Sequence, residues 1–159
     1  MDKKILIAYF SVSNKTAKVA KELSSLINAD ICEIKPKIPY KREDLDWTNE
    51  NSRSTIEMKN TAMRPAIIEN TIEIRQYDVL LIGFPIWWYI APTIVNTFLE
   101  RYDLTNKIVI PFATSGGSGM GKTNEMLAGS CKGATLLDGK VLNGKNDIAT
   151  FKQWIQQHI

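Results

Sequence analysis

The run Ile5, Leu6, Ile7, Ala8, Tyr9, Phe10 leads directly into Ser11, Val12, Ser13, Asn14, Lys15 and Thr16. Consecutive apolar residues without polar alternation suit a strand buried on both faces, as in a parallel sheet. After the polar loop, Val19, Ala20, Leu23, Leu26 and Ile27 recur at helical spacing. The stretch therefore predicts strand, loop and helix, the opening of a βαβ unit.

The same rhythm continues outward. Ile31 to Ile34, Val79 to Gly83, Ile108 to Phe112 and Thr135 to Leu137 are further strand candidates. Between them, Ile94, Val95, Phe98, Leu99 and Tyr102 mark a helix after Pro92, and Lys122 to Leu127 marks another. Asn146 and Asp147 offer an N-cap to a last helix with Ile148, Phe151, Ile155 and Ile159 inward. Strands alternating with helices imply right-handed crossovers and a parallel sheet covered on both faces. The expectation is an α/β, three-layer, doubly wound domain with a five-stranded parallel sheet, spanning residues 1–159 as one unit.

One segment breaks the rhythm. Residues 36–76, between strands two and three, are polar and irregular, with Tyr40, Leu45 and Trp47 set among charges. Either these apolar residues pin a surface excursion, or the segment is a flap near a ligand or partner.

Composition excludes several classes. The 159 residues carry a net charge of +3, and no segment is strongly basic, which argues against nucleic-acid binding. Cys32 and Cys131 form no C-x-x-C pair, and the single histidine, His158, gives no triad or zinc cluster. The N-terminal apolar run is short, and no small-residue cleavage site follows it. No stretch reaches the roughly 18 apolar residues of a membrane span. A soluble, cytoplasmic protein without membrane or nucleic-acid partners is expected.

In open parallel sheets, ligands bind beyond the carboxyl ends of the strands. The loops after strands one, three and four are all unusual here. The first, Ser11 to Thr16, offers three hydroxyls at a helix start, where unpaired amides favour an anion such as a phosphate monoester; simple helix capping is the other reading. The second, Phe84, Pro85, Ile86, Trp87, Trp88, Tyr89, Ile90, Ala91 and Pro92, puts three aromatics in a row on a surface loop. A planar ring system would cover them, as would the polar excursion or a dimer partner. The third, Thr114, Ser115, Gly116, Gly117, Ser118, Gly119, Met120 and Gly121, lets backbone amides approach a heterocycle edge, or is a flexible connector.

Taken together, element order and loops resemble the flavodoxin-like family over nearly the whole chain, in its short form. The resemblance implies strand order 2-1-3-4-5 and FMN at the switch point; flavodoxin is a standard example of that placement. It assigns the phosphate to Ser11, Val12, Ser13, Asn14, Lys15 and Thr16. Pro85, Ile86, Trp87, Trp88 and Tyr89 go to the ring face, and Thr114, Ser115, Gly116, Gly117, Ser118 and Gly119 to the pyrimidine edge. No catalytic or metal-binding residue is implied. Asn14 stands where the family has glycine, and asparagine tolerates the left-handed conformation. Trp88 stands where a glycine often follows the stacked aromatic, so a positive φ there would be costly. The third loop has no aromatic to cover the outer flavin face, and the chain is basic where carriers are acidic.

Gly116 to Thr123 also matches the nucleotide P-loop letter for letter. A P-loop enzyme needs an acidic residue ending a neighbouring strand to hold magnesium, and only Asp138 stands near such a position. The leading expectation is an FMN-binding electron-transfer protein serving a redox partner protein or small acceptor. The alternative is an NAD(P)H-dependent flavin or quinone reductase; a P-loop NTPase is the remote one.

Overall fold

In the computed structural model, which describes residues 3–159, the opening apolar run forms β1, Ile5–Tyr9. The elements that follow are α1, Lys15–Ile27; β2, Asp30–Glu33; α2, Arg53–Lys59; β3, Val79–Pro85; α3, Thr93–Glu100; β4, Ile108–Thr114; α4, Thr123–Ala128; β5, Thr135–Leu136; β6, Lys140–Val141; and α5, Lys145–His158. The sheet runs β2-β1-β3-β4-β5, all parallel, with β6 also paired to β4.

Period-two alternation divides each buried strand between two cores. Leu6, Ala8, Phe10, Leu80, Ile82 and Phe84 face the layer that holds Ile94, Phe98 and Leu99 of α3. Ile7, Tyr9, Val79 and Leu81 face Ala20 and Leu23 of α1 and Phe151 and Ile155 of α5. Both faces are covered, which is why the strands read as unbroken apolar runs.

The fifth strand differs from expectation by being split. Ile108 pairs with Thr135 and Val109 with Leu136, but Phe112 pairs with Lys140 and Ala113 with Val141, so the edge carries one extra residue. The interruption falls opposite Pro111. Val109 and Ala113 turn their carbonyls to this edge, accepting from Leu137 and Leu142, and by alternation Pro111 faces the same way without an N–H to give. The result is a bulge, and Gly139 sits in it, where a Cβ would come within 2.9 Å of the Pro111 carbonyl oxygen.

The last helix starts earlier than expected. Gly144 is its N-cap, and Asp147 lies in the first turn, accepting the Asn143 amide at 2.9 Å. Residues 36–76 are not wholly irregular: they carry α2 and short 3-10 turns at Arg42–Leu45 and Ile74–Gln76. Both ends of the segment return to one place, where Lys37 and Ile68 donate to the Ala66 and Lys35 carbonyls at 2.9 and 2.8 Å. Among the described residues, no helix is long and apolar enough to cross a membrane.

Candidate functional site

The register of the central strands brings three loops to one end of the sheet. Phe10 donates to the Gly83 carbonyl at 2.9 Å, and Ile86 donates to the Thr114 carbonyl at 2.9 Å. The first and third loops are joined by a buried hydrogen bond between the Thr16 and Thr114 hydroxyls, 2.7 Å long and 98 residues apart in sequence.

In the first loop, Asn14 caps α1 at φ 67, the left-handed conformation its side chain tolerates. Ser11 Oγ accepts the Ala17 amide at 3.2 Å, and the Asn14 carbonyl accepts the Lys18 amide at 3.1 Å. The Lys15 and Thr16 amides take no acceptor among the described residues, as expected for the first turn of a helix.

The aromatic loop is a tight hairpin. Trp87 donates to the Ile90 carbonyl at 3.0 Å, and Ile90 donates back at 3.2 Å. Trp88 and Tyr89 between them have φ values of 50 and 65. A two-residue hairpin loop with both central φ positive is the type I′ pattern, ordinarily made by Asn-Gly. Trp88 and Tyr89 are 43% and 65% exposed. Trp87 is half-buried, edge-on to Phe10 at 5.8 Å and to Tyr40 at 5.6 Å. For Trp87, packing against the polar excursion is therefore part of the answer.

The excursion does lie at this end of the sheet. Leu45, Trp47 and Ser54 join Ile86, Trp87, Trp88, Tyr89, Gly116, Gly117 and Ser118 around a cavity of about 490 Å³. Buried Glu57 anchors this wall, accepting from Tyr40 Oη at 2.6 Å and from Arg53 Nε at 3.1 Å. The Arg53 guanidinium also lies 3.7 Å above the Tyr40 ring. Burial, then the bond to Glu57, pushes the Tyr40 phenol well above its usual range, so it donates rather than ionises.

A second cavity, about 600 Å³, is bounded by Lys15, Lys18, Glu22, Thr114, Ser115, Gly116, Asn143 and Lys145 among others. Gly116 borders both cavities. Of the expected site residues, Ser11, Val12, Ser13, Asn14, Thr16, Pro85 and Gly119 border neither. Asn143, which accepts the Ser115 amide at 3.1 Å, and Ser54 were not expected; nothing in their sequence surroundings singles them out.

The P-loop lettering has a structural explanation. Thr123 is fully buried and its hydroxyl donates to the Met120 carbonyl at 2.5 Å, so it is not free to meet magnesium. The Lys122 amide donates to the Tyr89 carbonyl at 3.1 Å. These residues fasten the aromatic turn. Burial pushes the Cys32 thiol up to about 12 and the Cys131 thiol up to about 11, away from the thiolate form.

A doubly wound parallel sheet with a cavity at its switch point defines a nucleotide- or cofactor-type α/β protein. The chain belongs to the flavodoxin family, whose model, described as flavodoxin, matches residues 4–158. The chain is 42% identical to a protein of Bacteroides eggerthii DSM 20697 provisionally described as a flavoprotein, with TM-score 0.91 over 98% of this chain and 97% of that one. A Bacteroides uniformis ATCC 8492 protein with the same provisional description is 41% identical, with TM-score 0.89 over 98% and 99%. A Lactobacillus acidophilus NCFM flavoprotein, solved in complex with FMN, is 24% identical, with TM-score 0.75 over 97% and 99%. No curated protein matches the chain.

Proposed function

We propose that this chain binds FMN and works in electron transfer in the cytoplasm. The observation that carries the reading is the meeting, at one end of the sheet, of an amide- and hydroxyl-rich helix start with an uncharged aromatic cavity. The donor set fits the group. Ser11, Ser13, Asn14, Lys15 and Thr16 surround a helix start whose free amides favour a phosphate. Ile86, Trp87, Trp88 and Tyr89 offer flat apolar surface. Gly116, Gly117 and Gly119 have no atom within 4 Å of where a Cβ would stand, so their backbone is open to a ligand edge. Val12, Pro85, Thr114, Ser115 and Ser118 complete the three loops. The bound flavin supplies the redox chemistry; the chain binds it, orients it and limits water at its ring.

The carrier reading implies a redox partner protein. The second reading, an NAD(P)H-dependent reductase, is favoured by the size of the aromatic cavity and by its reach to Trp47. An absorption spectrum of the purified protein and a stopped-flow trace with NADPH separate the two. A flavin that NADPH does not bleach supports the carrier, and rapid bleaching supports the reductase.

The FMN reading makes its own prediction. Wild type should bind FMN well ahead of riboflavin, measured by flavin fluorescence quenching. Ser13→Ala, which removes an exposed hydroxyl of the first loop and leaves the Thr16–Thr114 bond intact, should weaken FMN about tenfold or more, since bonds to charged groups are worth about 1.5–3 kcal/mol, and should affect riboflavin much less. Equal wild-type affinity for the two ligands would sink the phosphate site.

A further inference from the structure

The glycine-rich loop leaves β4 at Ser115, and the Ser115 amide donates to a side chain, Asn143 Oδ1, at 3.1 Å across 28 residues of sequence. The same offset pairs Phe112 with Lys140 and Ala113 with Val141, so Asn143 stands opposite Ser115 in the register of β6. Its side-chain carbonyl accepts at a point where β6 has already ended, at Val141. The bulge in the edge makes this possible. Along β5, Ile108 pairs with Thr135 and Val109 with Leu136. Continued without the extra residue, that register would set Leu142 opposite Ser115, a buried apolar side chain with no acceptor to give. Bulges beside ligand sites re-aim a side chain in this way.

Asn143 is itself held from α5. Its own amide donates to Asp147 Oδ2 at 2.9 Å, in the first turn of that helix, and Ile148, Phe151 and Ile155 seat the helix in the core. On its other side, Ser115 orders the residues that follow it. Ser115 Oγ accepts the Gly117 amide at 3.1 Å and shares a hydrogen bond with Ser118 Oγ at 2.9 Å. Two amides of the loop, those of Ser115 and Gly117, are thus satisfied within the protein. Those of Gly116, Ser118 and Gly119 take no acceptor among the described residues. A glycine-rich chain has many backbone conformations open to it, so a fixed Ser115 limits the directions in which these free amides can point.

We propose that Asn143 is a positioning residue for the cofactor site: by anchoring Ser115 it holds the free amides of Gly116, Ser118 and Gly119 where they meet the flavin ring, and so sets affinity for the ring rather than for the phosphate. The role rests on the FMN reading, since it acts through the loop assigned to the ring edge.

The test compares Asn143→Ala with Asn143→Asp, which keeps an acceptor oxygen at the same place. Amide proton exchange is read by NMR on the flavin-free protein, and FMN and riboflavin affinities by flavin fluorescence. Asn143→Ala should speed exchange at the Ser115 and Gly117 amides and leave the Ile86 amide, which donates to the Thr114 carbonyl, as in wild type. It should weaken FMN and riboflavin by the same factor, about three- to tenfold, the worth of one neutral hydrogen bond. The ratio of the two affinities then stays at its wild-type value, whereas Ser13→Ala changes it. Asn143→Asp should return riboflavin, which carries no phosphate for the new charge to repel, to near its wild-type affinity. A merely structural asparagine would lower the melting temperature and leave both flavin affinities of the folded protein unchanged, and a phosphate-side asparagine would weaken FMN alone; either result overturns the proposal. So would unchanged exchange at Ser115 and Gly117, or a riboflavin loss that Asn143→Asp does not restore. If wild type binds neither flavin, the FMN reading falls and takes the role with it. If wild type binds both and Asn143→Ala binds them equally well, the positioning role alone falls.

Discussion

Gly121→Ala should lower stability by about 2–5 kcal/mol in urea denaturation, with the m-value unchanged. Two effects add. Gly121 has φ +55, and a side chain held in the left-handed region costs about 1–2 kcal/mol. A Cβ would also stand 2.8 Å from Tyr89 Cβ and still closer to the Tyr89 carbonyl oxygen; overpacking of this kind costs about 1–3 kcal/mol. Relief by movement is blocked, because that carbonyl already accepts the Lys122 amide, and its residue closes the hairpin between Trp87 and Ile90. Two controls sharpen the result. Gly119→Ala meets open space and should stay within about 0.5 kcal/mol of wild type. Lys122→Ala should also be mild, since the contact is made by its backbone. A loss under about 0.5 kcal/mol for Gly121→Ala would show that the turn is not fastened there.

That contrast shows where the sequence was legible. The buried strands were readable because residues such as Leu80, Leu81 and Ile82 must be apolar on both faces of a covered sheet. Asn14 was readable because few side chains suit its conformation. The break in the fifth strand was signalled by Pro111, which removes a donor from the edge, but a proline inside an apolar run does not say which neighbour it disrupts. The capping of α5 by Gly144 was hidden because Asn146 and Asp147 are good caps two and three residues too late. The place of the excursion was legible only as one of two readings. It depends on Tyr40 reaching Phe10 and Trp87, and on Glu57 reaching Tyr40, contacts that no periodicity encodes.

Replacing Trp88 by Asn together with Tyr89 by Gly should raise stability and weaken FMN at once. The turn is held in its shape by the paired Trp87 and Ile90 bonds and by the Lys122 amide on Tyr89. That framework forces φ 50 and 65 on two bulky residues, at roughly 1–2 kcal/mol each. Asn-Gly adopts the same turn readily. Glycine adds conformational freedom to the unfolded chain and returns about 0.5–1 kcal/mol of the gain. The net expectation is about 1–3 kcal/mol of stabilisation, at roughly 2–4 °C per kcal/mol for a domain of this size. The aromatic faces lost are the exposed ones, and aromatic contacts are worth about 0.5–1.5 kcal/mol beyond area. FMN should therefore bind about tenfold more weakly or worse. Such opposition between stability and binding is the mark of strain retained at a functional site. A melting temperature that stays level or falls would show that the turn is unstrained. A higher melting temperature with FMN affinity intact would show that Trp88 and Tyr89 do not face the flavin.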